Sequence, residues 1–332
     1  MTEQAVSTRR APRICMLCGN FYPVVGGGER HARLLARRLA ERGAKVLVLT
    51  RRRYRRLPAR EAFEGYDVVR VAPSGFPRLG KYLMLLPAVY ALWRRRRDYD
   101  VVYVCGLRVL GMAGMIAQLL MRKPCVLRAE ARGEFNGEFV WKKAEGGYGP
   151  LRRMLFRPIV ALRNVLFRRA AGFLSVSTPI RDELTACGVS PERVTTIPNG
   201  LDTEAFQART DAQRRRLRQR LGVSDEILFA YAGKLIRGKG LSLLLSVWRR
   251  YAANHPKARL LLVGSGTGQF LSCEDELRAF VDRHHLDASV IFTGYVENVA
   301  DYLSAADCFV FPSESESRSE ERRVGKECAT GC

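Results

Sequence analysis

No stretch of the 332-residue chain reaches the roughly 18–20 consecutive apolar residues that a bilayer-spanning helix needs. The two longest candidates, 82–93 and 109–121, are interrupted by Pro87 and by Gly111, Gly114 and Gln118. The second reads as a buried helix. The arginines of residues 1–13 are followed by no apolar h-region, so a secretory leader is not expected. The nine cysteines form no framework. Cys15 and Cys18 do make a C-x-x-C, but inside an apolar run and without the second pair that a zinc site requires. They read as core thiols of a protein kept in a reducing cytoplasm. The chain also lacks a G-x-G-x-x-G followed about twenty residues on by an acid, which argues against a dinucleotide-dependent dehydrogenase.

Acidic residues are scarce in one half only. Residues 1–200 carry 37 Lys+Arg against 15 Asp+Glu, a net of +22, whereas residues 201–332 carry 19 against 18, a net of +1. A half this basic suits phosphate-rich polymers or anionic lipid surfaces. The competing reading is arginine spread freely over solvated faces.

Short runs rich in Val, Ile and Leu alternate with amphipathic stretches, the pattern of parallel sheets covered on both faces. Strands are expected at 13–18, 45–50, 67–71, 100–104, 124–128, 173–177 and 194–197, with a helix at 29–42. A polar, arginine-rich connector is expected at 207–220. The alternation then restarts with strands at 227–232, 259–263, 290–293 and 308–311, and helices at 241–253, 274–284 and 299–304. The expected organisation is therefore a first domain at 1–205, a second at 206–317 that stops short of the usual six strands, and a charged stretch at 318–332 that reads as foreign to the fold.

Four constellations carry chemistry. Gly26, Gly27 and Gly28 lie between the first strand and the first helix, where free backbone N–H groups and a helix N-terminus can meet an anion. Gly233, Lys234 and Lys239 occupy the same place in the second half, and two ammonium groups there can hold a diphosphate and neutralise charge as it leaves. Gly264 opens a further glycine-rich turn after a strand, marking a crevice at the strand ends. The segment 290–316 ends in carboxylates just past a strand, placed to bond sugar hydroxyls. Singly, each could be an ordinary turn or a solvated loop.

Together they resemble the retaining glycosyltransferases of family 4, which have the two-domain GT-B fold. The resemblance spans about residues 12–317 and rests on four ordered motifs. Pro23, Gly26, Gly27 and Glu29 match the first, and Pro198, Asn199, Gly200 and Asp202 the second. Gly233, Lys234, Leu235, Lys239 and Gly240 match the third; Gly294, Val296, Ala305, Ala306, Asp307, Pro312, Ser313 and Glu316 match the fourth. The resemblance implies two doubly wound Rossmann-like domains facing a cleft. It implies a nucleoside-diphosphate sugar donor, whose diphosphate meets Gly26, Gly27, Lys234 and Lys239 and whose nucleotide meets Gly233, Gly264 and Tyr295. Glu316 would be the first carboxylate of an E-x7-E pair beside the donor sugar.

No metal or cofactor is implied, and the D-x-D spelled by Asp98 and Asp100 reads as the start of a strand. Three departures stand out. Lys234 replaces the usual arginine, which keeps the charge and loses the planar fork. The segment after 124–128 holds Glu130 and Glu134 but no histidine, so no catalytic histidine is assigned. The second carboxylate of the pair falls on Val324, so this chain is expected to be inactive in transfer.

The expected partners are that donor, a glycan, cell-envelope or lipid-linked acceptor met by the first domain, and an anionic membrane surface. The last follows from Arg94–Arg97 after an apolar run and from six arginines interleaved with large apolar residues in 151–172. The expected location is the cytoplasm, including the inner face of the plasma membrane. The alternative is a basic membrane- or nucleic-acid-binding protein without catalysis, although no nucleic-acid recognition signature is visible.

Overall fold

The computed structural model describes residues 11–24, 26–63, 65–76, 79–138, 150–269 and 271–313. The chain divides into two compact units, Met1–Gly200 and Leu201–Cys332.

Unit 1 runs β1 (Arg13–Cys18), α1 (Gly27–Glu41), β2 (Lys45–Arg51), β3 (Arg60–Phe63), β4 (Tyr66–Val71), α2 (Gly80–Leu83) and α3 (Leu85–Arg94). It continues with β5 (Val101–Cys105), α4 (Leu110–Met121), β6 (Cys125–Ala129), α5 (Pro150–Phe167), β7 (Gly172–Ser175), α6 (Thr178–Ala186) and β8 (Val194–Thr196). The strands form one sheet in the order β3-β4-β2-β1-β5-β6-β7-β8. All pairings are parallel except that of β3 with β4. The antiparallel β3, with its alternating Arg60–Phe63 sequence, was not expected. It is short and only half-buried, so it lacks the continuous apolar run that marks the central strands.

Those central strands are buried on both faces, and successive side chains go to opposite sides. Cys15 and Leu17 pack with Met84, Ala88 and Leu92 of α2–α3 and with α4, α5 and α6. Met16 and Cys18 pack with Ala32 and Ala36 of α1. Cys15 and Cys18 therefore sit in different halves of the core, too far apart in direction to share one metal ion. Two apolar helices owe their form to particular residues. Pro87 falls in the first turn of α3, the part of a helix that best tolerates a residue without an N–H. In α4, a Cβ at Gly114 would come within 2.6 Å of Cys125 Sγ, and one at Gly111 within 2.5 Å of Phe167. The helix lies close against the sheet at Gly114 and against α5 at Gly111 only because those side chains are absent.

Unit 2 comprises α7 (Asp211–Arg220), β9 (Ile227–Ala232), α8 (Leu241–Asn254), β10 (Ala258–Val263), α9 (Glu274–Arg283), β11 (Val290–Gly294), α10 (Val299–Ala305) and β12 (Cys308–Phe309). The four parallel strands lie in the order β11-β10-β9-β12. Leu241, Leu245 and Trp248 of α8 join Leu277 and Val281 of α9 on one face. Residues of α7 and α10 cover the other.

The expected connector at 207–220 is in fact the helix α7 from 211 onward. Thr210 and Gln213 form a capping box, with Gln213 N–H donating to Thr210 Oγ1 at 3.3 Å and Thr210 N–H donating to Gln213 Oε1 at 3.0 Å. Its polarity hid it. What anchors it is a charge, because Arg218 is buried and donates to Asp307 Oδ2 at 3.0 Å and to the Ala305 carbonyl at 3.0 Å.

Candidate functional site

In an open α/β sheet, the crevice forms where consecutive connections leave to opposite faces, outside the carboxyl ends of the strands. Each unit has one such point. In unit 1 it lies between β1 and β5, and in unit 2 between β9 and β12.

The unit 2 point is built from glycine. Gly233 N–H donates to the Val263 carbonyl at 2.9 Å, and Gly264 N–H donates to the Gly294 carbonyl at 3.1 Å. These bonds tie the ends of β9, β10 and β11 together. Gly264 has φ +142, and a Cβ there would sit 1.9 Å from the Gly233 carbonyl oxygen. Only glycine fits. A Cβ at Gly240, the residue preceding α8, would meet the Pro312 carbonyl oxygen at 2.1 Å. Glu274 braces the second loop by accepting from Gly266 N–H and Ser265 Oγ, both at 2.7 Å. Burial pushes its carboxyl up, but those bonds and Arg278 outweigh it and hold the group below the usual carboxylate range.

The loops so joined carry Gly233, Lys234, Lys239, Gly264 and Tyr295 at the same ends of adjacent strands. Lys234 is exposed, with Nζ donating to Gln269 Oε1 at 3.2 Å, and its carbonyl accepts from the Tyr231 hydroxyl at 3.2 Å. Lys239 is half-buried, and Tyr295, next to Gly294, is exposed. Asp307 belongs elsewhere. It accepts from Leu228 N–H at 2.8 Å at the start of β9 and clamps Arg214 and Arg218, away from these loops. Glu316 lies outside the described residues.

The unit 1 point is built from charge. Gly26 is buried as the residue preceding α1, and a Cβ at Gly27 would meet no atom within 4 Å. Neither packing nor backbone conformation demands glycine at 27. Facing this loop is Glu130, at the end of β6, whose Oε2 lies 3.5 Å from where a Cβ on Gly28 or on Gly106 would stand. Glu130 accepts from the buried Arg128 at 2.8 Å, and Arg128 also donates to Asn199 Oδ1. Arg108 donates to Glu134 Oε1 at 2.7 Å, while Glu130 N–H donates to Glu134 Oε2 at 3.0 Å. Burial raises the Glu130 carboxyl against the pull of Arg128, with Glu134 and Glu29 adding to the rise.

Gly28, Gly106, Arg108, Glu130 and Glu134 line a cavity of about 740 Å³ with Asn20, Glu29, Lys81 and Tyr82, and Arg128 and Asn199 lie behind them. In the sequence, Glu130 and Glu134 stand out only by the histidine missing beside them. Their union with Arg108, Arg128 and Asn199 joins positions 108 to 199, and no local pattern announces it. Asp98 and Asp100 stand at the other end of the sheet, before β5. Asp100 pairs with Arg13 at 2.6 Å, and that hydrogen bond holds its carboxyl down at about 2. Among the described residues, no group of three or more His, Cys, Asp or Glu side chains is placed to hold a metal ion.

A family model described as Glycosyltransferase Family 4 matches residues 25–205, and one described as Glycosyl transferases group 1 matches residues 226–322. Twin Rossmann-like units, each with its strand-end site, are the parts of a GT-B glycosyltransferase. The chain belongs to glycosyltransferase family 4. Mannosylfructose-phosphate synthase of Agrobacterium fabrum is 26% identical over 93% of this chain and 73% of its own length. The GPI3 subunit of phosphatidylinositol N-acetylglucosaminyltransferase from Saccharomyces cerevisiae is 23% identical over 92% of this chain, which spans 63% of that relative. Among solved structures, the sucrose-phosphate synthase of Thermosynechococcus elongatus aligns with TM-score 0.73 at 22% identity, covering 93% of this chain and 77% of that one. HepE of Anabaena in complex with UDP and glucose aligns with TM-score 0.67 at 19% identity, covering 92% and 75%.

Proposed function

We propose that the protein transfers a glycosyl group from a nucleoside-diphosphate sugar to an acceptor carried on a cell-envelope glycan or a lipid, with the anomeric configuration retained. One observation carries this reading. Three strand-end loops, after β9, β10 and β11, are tied together beside the switch point of unit 2, and they carry two lysines and an exposed tyrosine. Lys234, Lys239 and the N-terminal end of α8 supply positive charge for a diphosphate that departs as the anomeric C–O bond breaks and the acceptor oxygen bonds to the same carbon, its hydroxyl proton passing to the departing phosphate. Gly233 and Gly264 keep the floor free of side chains for the nucleotide, and Tyr295 offers a ring to its base. Gly26 and Gly27 are read as the diphosphate-facing backbone of unit 1, and Glu316 as the carboxylate beside the donor sugar. The reading needs no resident metal or cofactor. It is supported by the HepE structures that hold UDP or UDP-glucose and by the sugar-transferring relatives. We place the reaction in the cytoplasm, which suits nine cysteines without a paired framework.

Thermal unfolding in the presence of UDP, GDP, NAD or a short DNA duplex tests it. UDP or GDP at about one hundred times its Kd is expected to stabilise the chain by about 2.7 kcal/mol. Lys234→Ala is expected to weaken that affinity about tenfold, the loss of one charge-assisted contact, with the ligand-free Tm unchanged. A response to DNA alone would overturn the reading in favour of a basic binding protein.

A further inference from the structure

The unit 1 cavity has a polar floor and a mouth that sets large apolar side chains beside the exposed Lys81, and the mouth continues into an exposed apolar surface. Its floor holds Asn20, Glu29, Arg108, Glu130 and Glu134. Its rim includes Tyr82 of α2 and Ile159 of α5, which are 55% and 62% exposed although large and apolar. From Tyr82 the exposed apolar residues run along α2–α3 through Leu86, 77% exposed, to Trp93. From Ile159 they run along α5, where Leu162 is 74% exposed and Met154 and Val165 lie on the same side of the helix. The inward side of α5 is separate and already used, by Val160, Asn164 and Phe167. Helix α4 packs against both α3 and α5, so these two stripes belong to one face of the sheet. Arg94–Arg97 close α3, and Arg157 and Arg168 stand exposed on and just after α5.

Water gives no reason to keep large apolar side chains uncovered beside arginines, whereas an anionic lipid surface stabilises both. We propose that this face docks on an anionic phospholipid surface, and that the cavity draws its acceptor from that surface. The acceptor is then a lipid whose polar head lies on the charged floor while its apolar part leaves past Tyr82 and Ile159. This deepens the transferase reading and rests on it for the chemistry, though not for the docking.

The test uses the full chain with Trp141→Phe, so that the indole signal comes from Trp93 on the face and the buried Trp248. Vesicles of 30% phosphatidylglycerol in phosphatidylcholine, made with brominated acyl chains, are expected to bind the chain and quench Trp93. Pure phosphatidylcholine is expected to bind about tenfold or more weakly, as is the mixture at 0.5 M salt. The double variant Leu86→Ser, Leu162→Ser is expected to lose binding about tenfold with its Tm unchanged, because both residues are exposed. In the Tyr82→Trp variant the new indole at the cavity mouth is expected to be quenched as strongly as Trp93. Equal affinity for neutral vesicles, or binding untouched by the double variant, would overturn the docking. Quenching at Trp93 but not at position 82 would overturn the lipid acceptor. Stabilisation by UDP, measured without vesicles, reports the transferase reading separately, so the two can fail independently.

Discussion

The two units share a topology and differ in what they put at its switch point. In unit 2, glycines close the strand ends against one another, and a Cβ at Gly264 or Gly240 would lie within about 2 Å of a carbonyl oxygen. In unit 1, the corresponding ends stay apart around a cavity whose wall is a network of carboxylates and arginines. The charge count follows the same division, with +22 in residues 1–200 and +1 in the remainder. A floor of backbone suits a ligand that brings its own charge, and a floor of fixed charges suits one recognised by hydrogen bonds to hydroxyls. The same fold therefore offers two chemistries, decided by a few residues at the strand ends.

The contrast breaks most easily at Gly264. Gly264→Ala adds a clash with a backbone carbonyl to a φ that alanine avoids, so a loss of roughly 3–5 kcal/mol is expected in urea unfolding of unit 2. A loss below 1 kcal/mol would show that the loops are not locked. In unit 1, Arg128→Leu leaves Glu130 without its cation and frees Asn199, at a cost of about 2–4 kcal/mol.

Glu130→Gln sharpens the same point through pH. The Glu130 carboxyl is raised in the folded state above its ordinary 4.5, so its stabilising contribution is fully present below that value and declines as pH rises through the folded value. Stability of the variant relative to the unaltered chain should improve as pH rises above 4.5, measured by urea midpoints across pH 4–8. A flat difference would mean that Glu130 titrates normally.

Asp307→Asn should cost about 1–2 kcal/mol at neutral pH, since it loosens α7 from the start of β9. The Asp307 carboxyl is held low: burial opposes this, but the Leu228 N–H and Arg218 and Arg214 prevail. Its contribution is therefore present above the ordinary 3.8 and lost as pH falls through the folded value, so the variant and the unaltered chain should converge in that acid range. The smallest effect is expected at Gly27→Ala, which meets no neighbour within 4 Å at the start of a helix. Its unfolding free energy, from urea midpoints, should stay within about 0.5 kcal/mol of unchanged.

Much of the fold was legible because its signals are local. The buried strands β1, β2, β5 and β9 are continuous apolar runs, and α8 shows its core face as Leu241, Leu245 and Trp248 at helical spacing. The edge strand β3 and helix α7 escaped for a shared reason. Neither carries an apolar pattern, and α7 is fastened by the buried Arg218 and by a partner 89 positions away. Polar anchoring over that distance leaves no periodic trace.

The sequence alone determined the order of the buried strands, the glycine loops after β1, β9 and β10, the unequal charge of the two halves, and the family. Each is a property of neighbouring residues or of composition. Only the tertiary structure decided what those loops face. It showed that Gly264 is pressed against Gly233 while Gly27 is not crowded at all, and that Glu130 sits half-buried beside Gly28 with Arg128 and Asn199 behind it. It also showed that the exposed apolar stripes that start at Tyr82 of α2 and Ile159 of α5 flank one cavity mouth. Such facts depend on which distant segments a sheet brings to one edge, and that follows from strand order and packing, which no single segment encodes.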